Sequence, residues 1–134
     1  MIDYQNEIFT EVAMAVRASY EGTTVSGEYT RRPPNFPTVT LDEIENVTVG
    51  SLADSSDTEK YSGVTYRLQV FSNKVGGKKA EAREIFATAD SVMLGLGFRR
   101  ITYAPTPEIY ESTIYSITAT YEAVIDTEGF IYKR

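Results

Sequence analysis

Between Tyr115 and Ile125, every second residue is apolar or aromatic. Tyr115, Ile117, Ala119, Tyr121, Ala123 and Ile125 form one series, and Ser116, Thr118, Thr120 and Glu122 lie among them. Successive side chains of a strand point to opposite faces of a sheet. The pattern therefore predicts a long strand over residues 112–125 with one buried face and one polar face. Such a sheet needs an apolar layer on one side only. Two segments with helical spacing can supply it. Over residues 78–96, Ala82, Ile85, Phe86, Ala89, Val92, Met93 and Leu96 share one helical face, and Gly97 ends the run. Over residues 3–21, Ile8, Phe9, Val12, Ala15, Val16, Ser19 and Tyr20 do the same, with Asp3 as the expected N-cap and Gly22 as the stop.

The remaining elements are shorter. Strands are predicted over residues 23–30, 37–44 (Val39 and Leu41 on one face), 61–73 (Tyr66, Leu68 and Val70 alternating with Thr65, Arg67 and Gln69) and 98–103. Phe130 to Tyr132 returns as a hairpin partner after a turn at residues 126–129. The run Arg31-Arg32-Pro33-Pro34-Asn35-Phe36-Pro37 breaks regular structure. Residues 46–60 read as a long polar loop with an extended piece at Val47–Val49, and residues 104–107 as a proline-bounded turn. The expected fold is α+β: one domain over residues 1–134, with a mostly antiparallel sheet of four to six strands and two helices on one face.

The chain of 134 residues contains no cysteine and no histidine. Disulfides, thiol catalysis and Cys- or His-based metal sites are excluded, and the commonest general base near neutral pH is missing. This argues against an enzyme. No cofactor is expected. The acidic segment Asp54-Ser55-Ser56-Asp57-Thr58-Glu59 lacks the spacing of a calcium loop, so no metal is expected either. No apolar run reaches membrane-spanning length, and the first residues lack a basic stretch followed by an apolar one. The expectation is a protein made and kept in a cytoplasm.

The net charge is −6, which disfavours nonspecific nucleic-acid binding. Acids crowd residues 42–59 (Asp42, Glu43, Glu45, Asp54, Asp57 and Glu59) with no base among them. Bases come in groups: Arg31 and Arg32, then Lys74 with Lys78 and Lys79, then Arg99 and Arg100, then Lys133 and Arg134. Opposed patches suit head-to-tail contact between identical subunits, although the same charges also read as ordinary solvated surface. Gly76-Gly77-Lys78-Lys79 opens the second helix without the spacing of a nucleotide loop. Its lysines oppose the helix dipole and are read either as facing an acidic partner or as a solvated helix start. Of the ten tyrosines, Tyr66, Tyr115 and Tyr121 are assigned to the core, and Tyr4, Tyr61, Tyr103, Tyr110 and Tyr132, near element ends, to contacts.

Five segments together carry a family resemblance. They are Pro34-Asn35-Phe36-Pro37, Tyr66-Arg67-Leu68-Gln69-Val70-Phe71-Ser72-Asn73, Gly77-Lys78-Lys79-Ala80-Glu81-Ala82, Leu96-Gly97-Phe98-Arg99-Arg100 and Tyr121-Glu122-Ala123-Val124-Ile125-Asp126. In that order and spacing, over roughly residues 34–132, the chain resembles the tail terminators (tail-completion or minor tail proteins) of tailed phages and prophages of Gram-positive bacteria. The resemblance implies a six-membered ring on the end of the tail tube. Such a ring stops tube growth, docks on the head connector or stopper, and lets DNA pass through its lumen without binding it. It implies a location in the virion neck after assembly in the bacterial cytoplasm. The residues assigned to partner contacts are Arg31, Arg32, Lys78, Lys79, Arg99 and Arg100, with Asp54, Asp57 and Glu59 in the 46–60 loop. Two alternatives stay open: another head–tail joining protein (head-completion or stopper), or a small cytoplasmic domain that binds a ligand or a regulator.

Overall fold

A computed structural model of the chain describes residues 1–49, 60–107 and 113–132. The elements are α1 (Gln5–Ser19), β1 (Thr24–Ser26), β2 (Thr38–Val49), β3 (Tyr61–Ser72), α2 (Lys78–Leu96), β4 (Arg99–Pro107), β5 (Tyr115–Asp126) and β6 (Ile131–Tyr132). They form an α+β fold. The sheet has six strands in the order β1-β2-β3-β5-β4, and β6 also pairs with β5. All pairings are antiparallel except β1 with β2, which is parallel.

The alternation along β5 follows the sequence prediction from Ile117 on, whereas Tyr115 is half-buried and Ser116 is buried. Ile117, Ala119, Tyr121, Ala123 and Ile125 are buried, level across the sheet with Val64, Leu68 and Val70 of β3. Both helices pack on this face. Ile8, Val12 and Val16 of α1 and Ala82, Ile85, Phe86, Ala89 and Met93 of α2 complete the core. Each large apolar side chain buried in this way contributes about 1.5–3 kcal/mol. The Tyr66 and Phe98 rings meet edge to face with centroids 5.3 Å apart.

The helices run in opposite directions. Tyr20, just past α1, donates to the Glu84 carbonyl in the first half of α2. Tyr4, just before α1, donates to the Thr127 carbonyl beyond β5. The N-cap position of α1 is Tyr4, not Asp3. The Asp3 carboxylate nevertheless accepts from the Gln5 N–H at 3.1 Å, so it takes up one of the orphan donors of the first turn.

Three sequence expectations are corrected. First, residues 46–49 are not loop: Val47–Val49 is extended as expected, but it is the end of β2, which runs on unbroken from Thr38. Second, residues 104–107 continue β4 and do not turn, because a sheet tolerates proline on an edge strand where the missing N–H points away from the partner. Third, the strand expected over residues 23–30 is only Thr24–Ser26, and it pairs parallel to β2. The expected loop residues Asp54, Asp57 and Glu59, and also Tyr110, lie outside the described residues.

Two β-bulges reset the pleat. One falls at Ile44, between Glu43 and Glu45, and the other at Ile101, between Arg100 and Thr102. Both bulged isoleucines are exposed. A one-residue insertion moves every later side chain to the other face. Beyond Ile44 it is Asn46 that sits on the helix side, where it donates to the Ile2 carbonyl and accepts from Ser62. Val47 and Val49 turn to the face without helices.

Candidate functional site

The register defines two ends of the sheet. At one end β3 finishes at Ser72, and the chain turns through Lys74 and Gly77 into α2. At the other end lie the far end of β2, the start of β3, the β5–β6 turn and the start of α1. The ends differ in charge and in exposed apolar surface.

The first end is basic. Lys74, Lys78, Lys79 and Arg83 line an open concavity of about 620 Å³ together with Gly77 and Thr113. Val75, at the tip of the turn, is 99% exposed. Among the described residues, Lys74, Lys79 and Arg83 form no ion pair. Glu81, within the same helical turn, is held by the Ser72 hydroxyl at 2.7 Å. The structure thus brings Lys78 and Lys79 together with Lys74 and adds Arg83, which the sequence reading missed. Its signal was present, since Arg83 follows Lys79 by four residues and so shares its helical face.

The second end is acidic and partly apolar. Asp3, Glu7, Glu43, Glu45, Asp126 and Glu128 lie there, and Lys60 is a cation beside them. On the helix-free face, Val47, Gly63, Val124 and Tyr132 are level across β2, β3, β5 and β6, and Val49, Tyr61 and Asp126 form the next row. Val47, Val49, Tyr61 and Tyr132 are all exposed. This contiguous patch exists because of the bulge at Ile44. The turn beneath it is firmly built. Asp126 accepts from the Glu128 and Phe130 N–H groups and from the Tyr132 hydroxyl. Gly129, at φ 89°, leaves room for the Tyr4 ring.

The other assigned residues do not line the basic concavity. Arg31 and Arg32 are exposed in the connection between β1 and β2. Arg99 and Arg100 start β4 and are engaged within the chain. Arg99 pairs with Glu122 at 2.8 Å on the helix-free face. Arg100 reaches the opposite face and grips both oxygens of Asp90 on α2, at 2.9 and 2.8 Å.

Between its two ends the helix-free face is polar and internally paired. Arg67 pairs with Asp42 at 2.6 Å, and the Tyr29 ring lies 4.0 Å from its guanidinium. The buried Thr40 hydroxyl donates to Gln69 at 2.7 Å, and Thr102 and Thr120 share a hydrogen bond.

A smaller polar cavity of about 370 Å³ lies between α1 and the sheet, lined by Phe9, Ser26, Glu28, Glu43 and Tyr66 among others. The Tyr66 hydroxyl is buried without a direct hydrogen bond. Burial, then the neighbouring Glu43 carboxylate, pushes its pKa up. Burial also raises the Glu43 pKa, against the lowering effect of the hydrogen bond from Asn46. Among the described residues, no group of three or more acidic side chains is placed to hold a metal ion. No helix among them is long and apolar enough to cross a membrane.

No protein-family model matches the chain. No curated protein matches it. Among solved structures the fold is similar to that of a chain from the virion of a native gene transfer agent (GTA) particle, with a TM-score of 0.64. The likeness covers 91% of this chain and 93% of that one at 17% sequence identity, and is therefore a likeness of fold across nearly the whole length of both.

Proposed function

We propose that this protein is a structural subunit of a phage virion. It assembles with copies of itself into a six-membered ring on the end of the tail tube, ends tube growth and docks on the head connector or stopper. The observation that carries this reading is the near full-length fold likeness to a gene transfer agent virion chain. The ring and its place at the tail end come from the tail-terminator resemblance of five separate sequence segments. The helix-free face suits a surface past which DNA moves. Arg67 and Arg99 are already paired with Asp42 and Glu122, and the net charge of −6 repels phosphate.

The test is capping. Purified tail tubes are mixed with the protein and viewed by negative-stain microscopy. Ring-shaped density at one tube end, with growth halted on addition of tube subunits, supports the reading. Binding to the connector without binding to the tube favours a stopper or head-completion protein instead. Binding to neither, by a folded protein, overturns the virion reading.

A further inference from the structure

The basic corner and the apolar, acid-rimmed patch lie at opposite ends of one sheet. Strand β3 runs the 12 residues between them, which is about 40 Å at the rise of an extended strand. The corner offers the fully exposed Val75 beside Lys74, Lys79 and Arg83, which line the same concavity. The patch offers Val47, Val49, Tyr61 and Tyr132 with Glu45, Asp126 and Glu128 at its margin. Each surface is apolar at its centre and charged around it, and the charges are opposite in sign. Contacts built this way combine apolar burial with a charged margin that fixes orientation.

We propose that the basic corner of one copy docks on the acid-rimmed patch of a second copy of this chain. The contact deepens the self-assembly reading above and rests on it. It uses two different surfaces, so a pair of copies leaves one of each unfilled. Such a contact does not stop at a two-fold dimer; it adds copy after copy, closing a ring where the rotation per copy closes and extending where it does not. It is also distinct from the polar middle of the helix-free face, whose arginines are paired within the chain.

The experiment uses two double variants, Lys79→Glu with Arg83→Glu at the corner and Glu45→Lys with Glu128→Lys at the patch. All four positions are exposed, so both variants are expected to keep the wild-type circular dichroism and melting temperature. Mass is measured by light scattering over a range of concentration and salt. The wild type is expected to associate beyond a dimer, less so at high salt. Each variant alone is expected to lose association by about tenfold or more. An equimolar mixture of the two is expected to regain it, since every corner then meets a patch of opposite charge.

Wild-type-like assembly of either variant overturns this contact. So does loss in both variants without recovery in the mixture. A wild type that stays monomeric throughout also overturns it. Tube capping by that same wild type would show that the ring reading survives without this contact.

Discussion

The Tyr121 hydroxyl donates to Asp90 Oδ1 at 2.6 Å, which ties the centre of β5 to α2. The tyrosine is fully buried, and burial, then the bond to Asp90, holds its pKa above the usual value. Arg100 closes the network from β4 and is kept firmly protonated by Asp90. Asp90→Ala leaves the phenol without an acceptor. The expected loss is about 2–3 kcal/mol in denaturant unfolding, mostly from the orphaned hydroxyl. Tyr121→Phe removes donor and demand together and is expected to cost less. Equal losses in the two variants would contradict this ranking.

Gly97 ends α2 at φ 111°, and a Cβ placed there would stand 3.0 Å from the Ile131 carbonyl and 3.2 Å from its side chain. Gly97→Ala combines left-handed strain with displacement of β6. A loss of about 2 kcal/mol is expected. Hydrogen exchange should speed up first at Ile131 and Tyr132, before the centre of the sheet responds.

Thr40 and Gln69 are both buried on the helix-free face, and each supplies the other's side-chain partner. Thr40→Val keeps the shape but strands the Gln69 oxygen. It is expected to cost about 1–2 kcal/mol. Adding Gln69→Leu to Thr40→Val should recover part of that loss, and a double-mutant cycle measures the coupling.

Glu43 gives a prediction in pH. Burial raises its pKa in the folded state, so the folded chain binds that proton more tightly than the unfolded chain does. Stability from this group therefore falls as pH rises from the ordinary carboxylate value through the folded one, and the penalty stays constant above it. Glu43→Gln keeps an oxygen to accept from Asn46 and removes the penalty. A melting temperature a degree or two higher than wild type is expected at pH 7, with the advantage gone by about pH 4. An advantage that grows on acidification would contradict the assignment.

The elements with regular periodicity were legible in the sequence. The helix predicted over residues 78–96 is α2 at Lys78–Leu96, and β5 buries the series predicted for it except Tyr115, which is half-buried. The pairing partners were not legible, because period-two alternation says which residues share a face but not which strand lies alongside. The bulges were the larger obstacle. Counting by twos from Leu41 places Val47 and Val49 with the core, whereas the extra residue at Ile44 turns them outward and creates the patch. The polar run after Val49 also made the extended piece at Val47–Val49 look like part of a loop and not the end of β2. Among the assigned contacts, the sequence placed Lys78 and Lys79 correctly at a helix start. It had no way to pair Arg100 with Asp90 across ten residues of chain, because that pair depends on how α2 crosses β4.

The two prolines in β4 have a consequence for solution behaviour. Pro105 and Pro107 are accommodated because β4 is an edge strand. That rim of the sheet is therefore poor in N–H groups and is kinked further by the bulge at Ile101. The opposite rim starts as β1, only three residues long, and beyond Thr40 it is the outer edge of β2. The exposed edge of β2 is bent by the bulge at Ile44 and carries Asp42, Glu43 and Glu45, and a bulge with charges is a guard against pairing with a stray strand. Backbone pairing is thus disfavoured at both rims, which leaves any contact between copies to side chains.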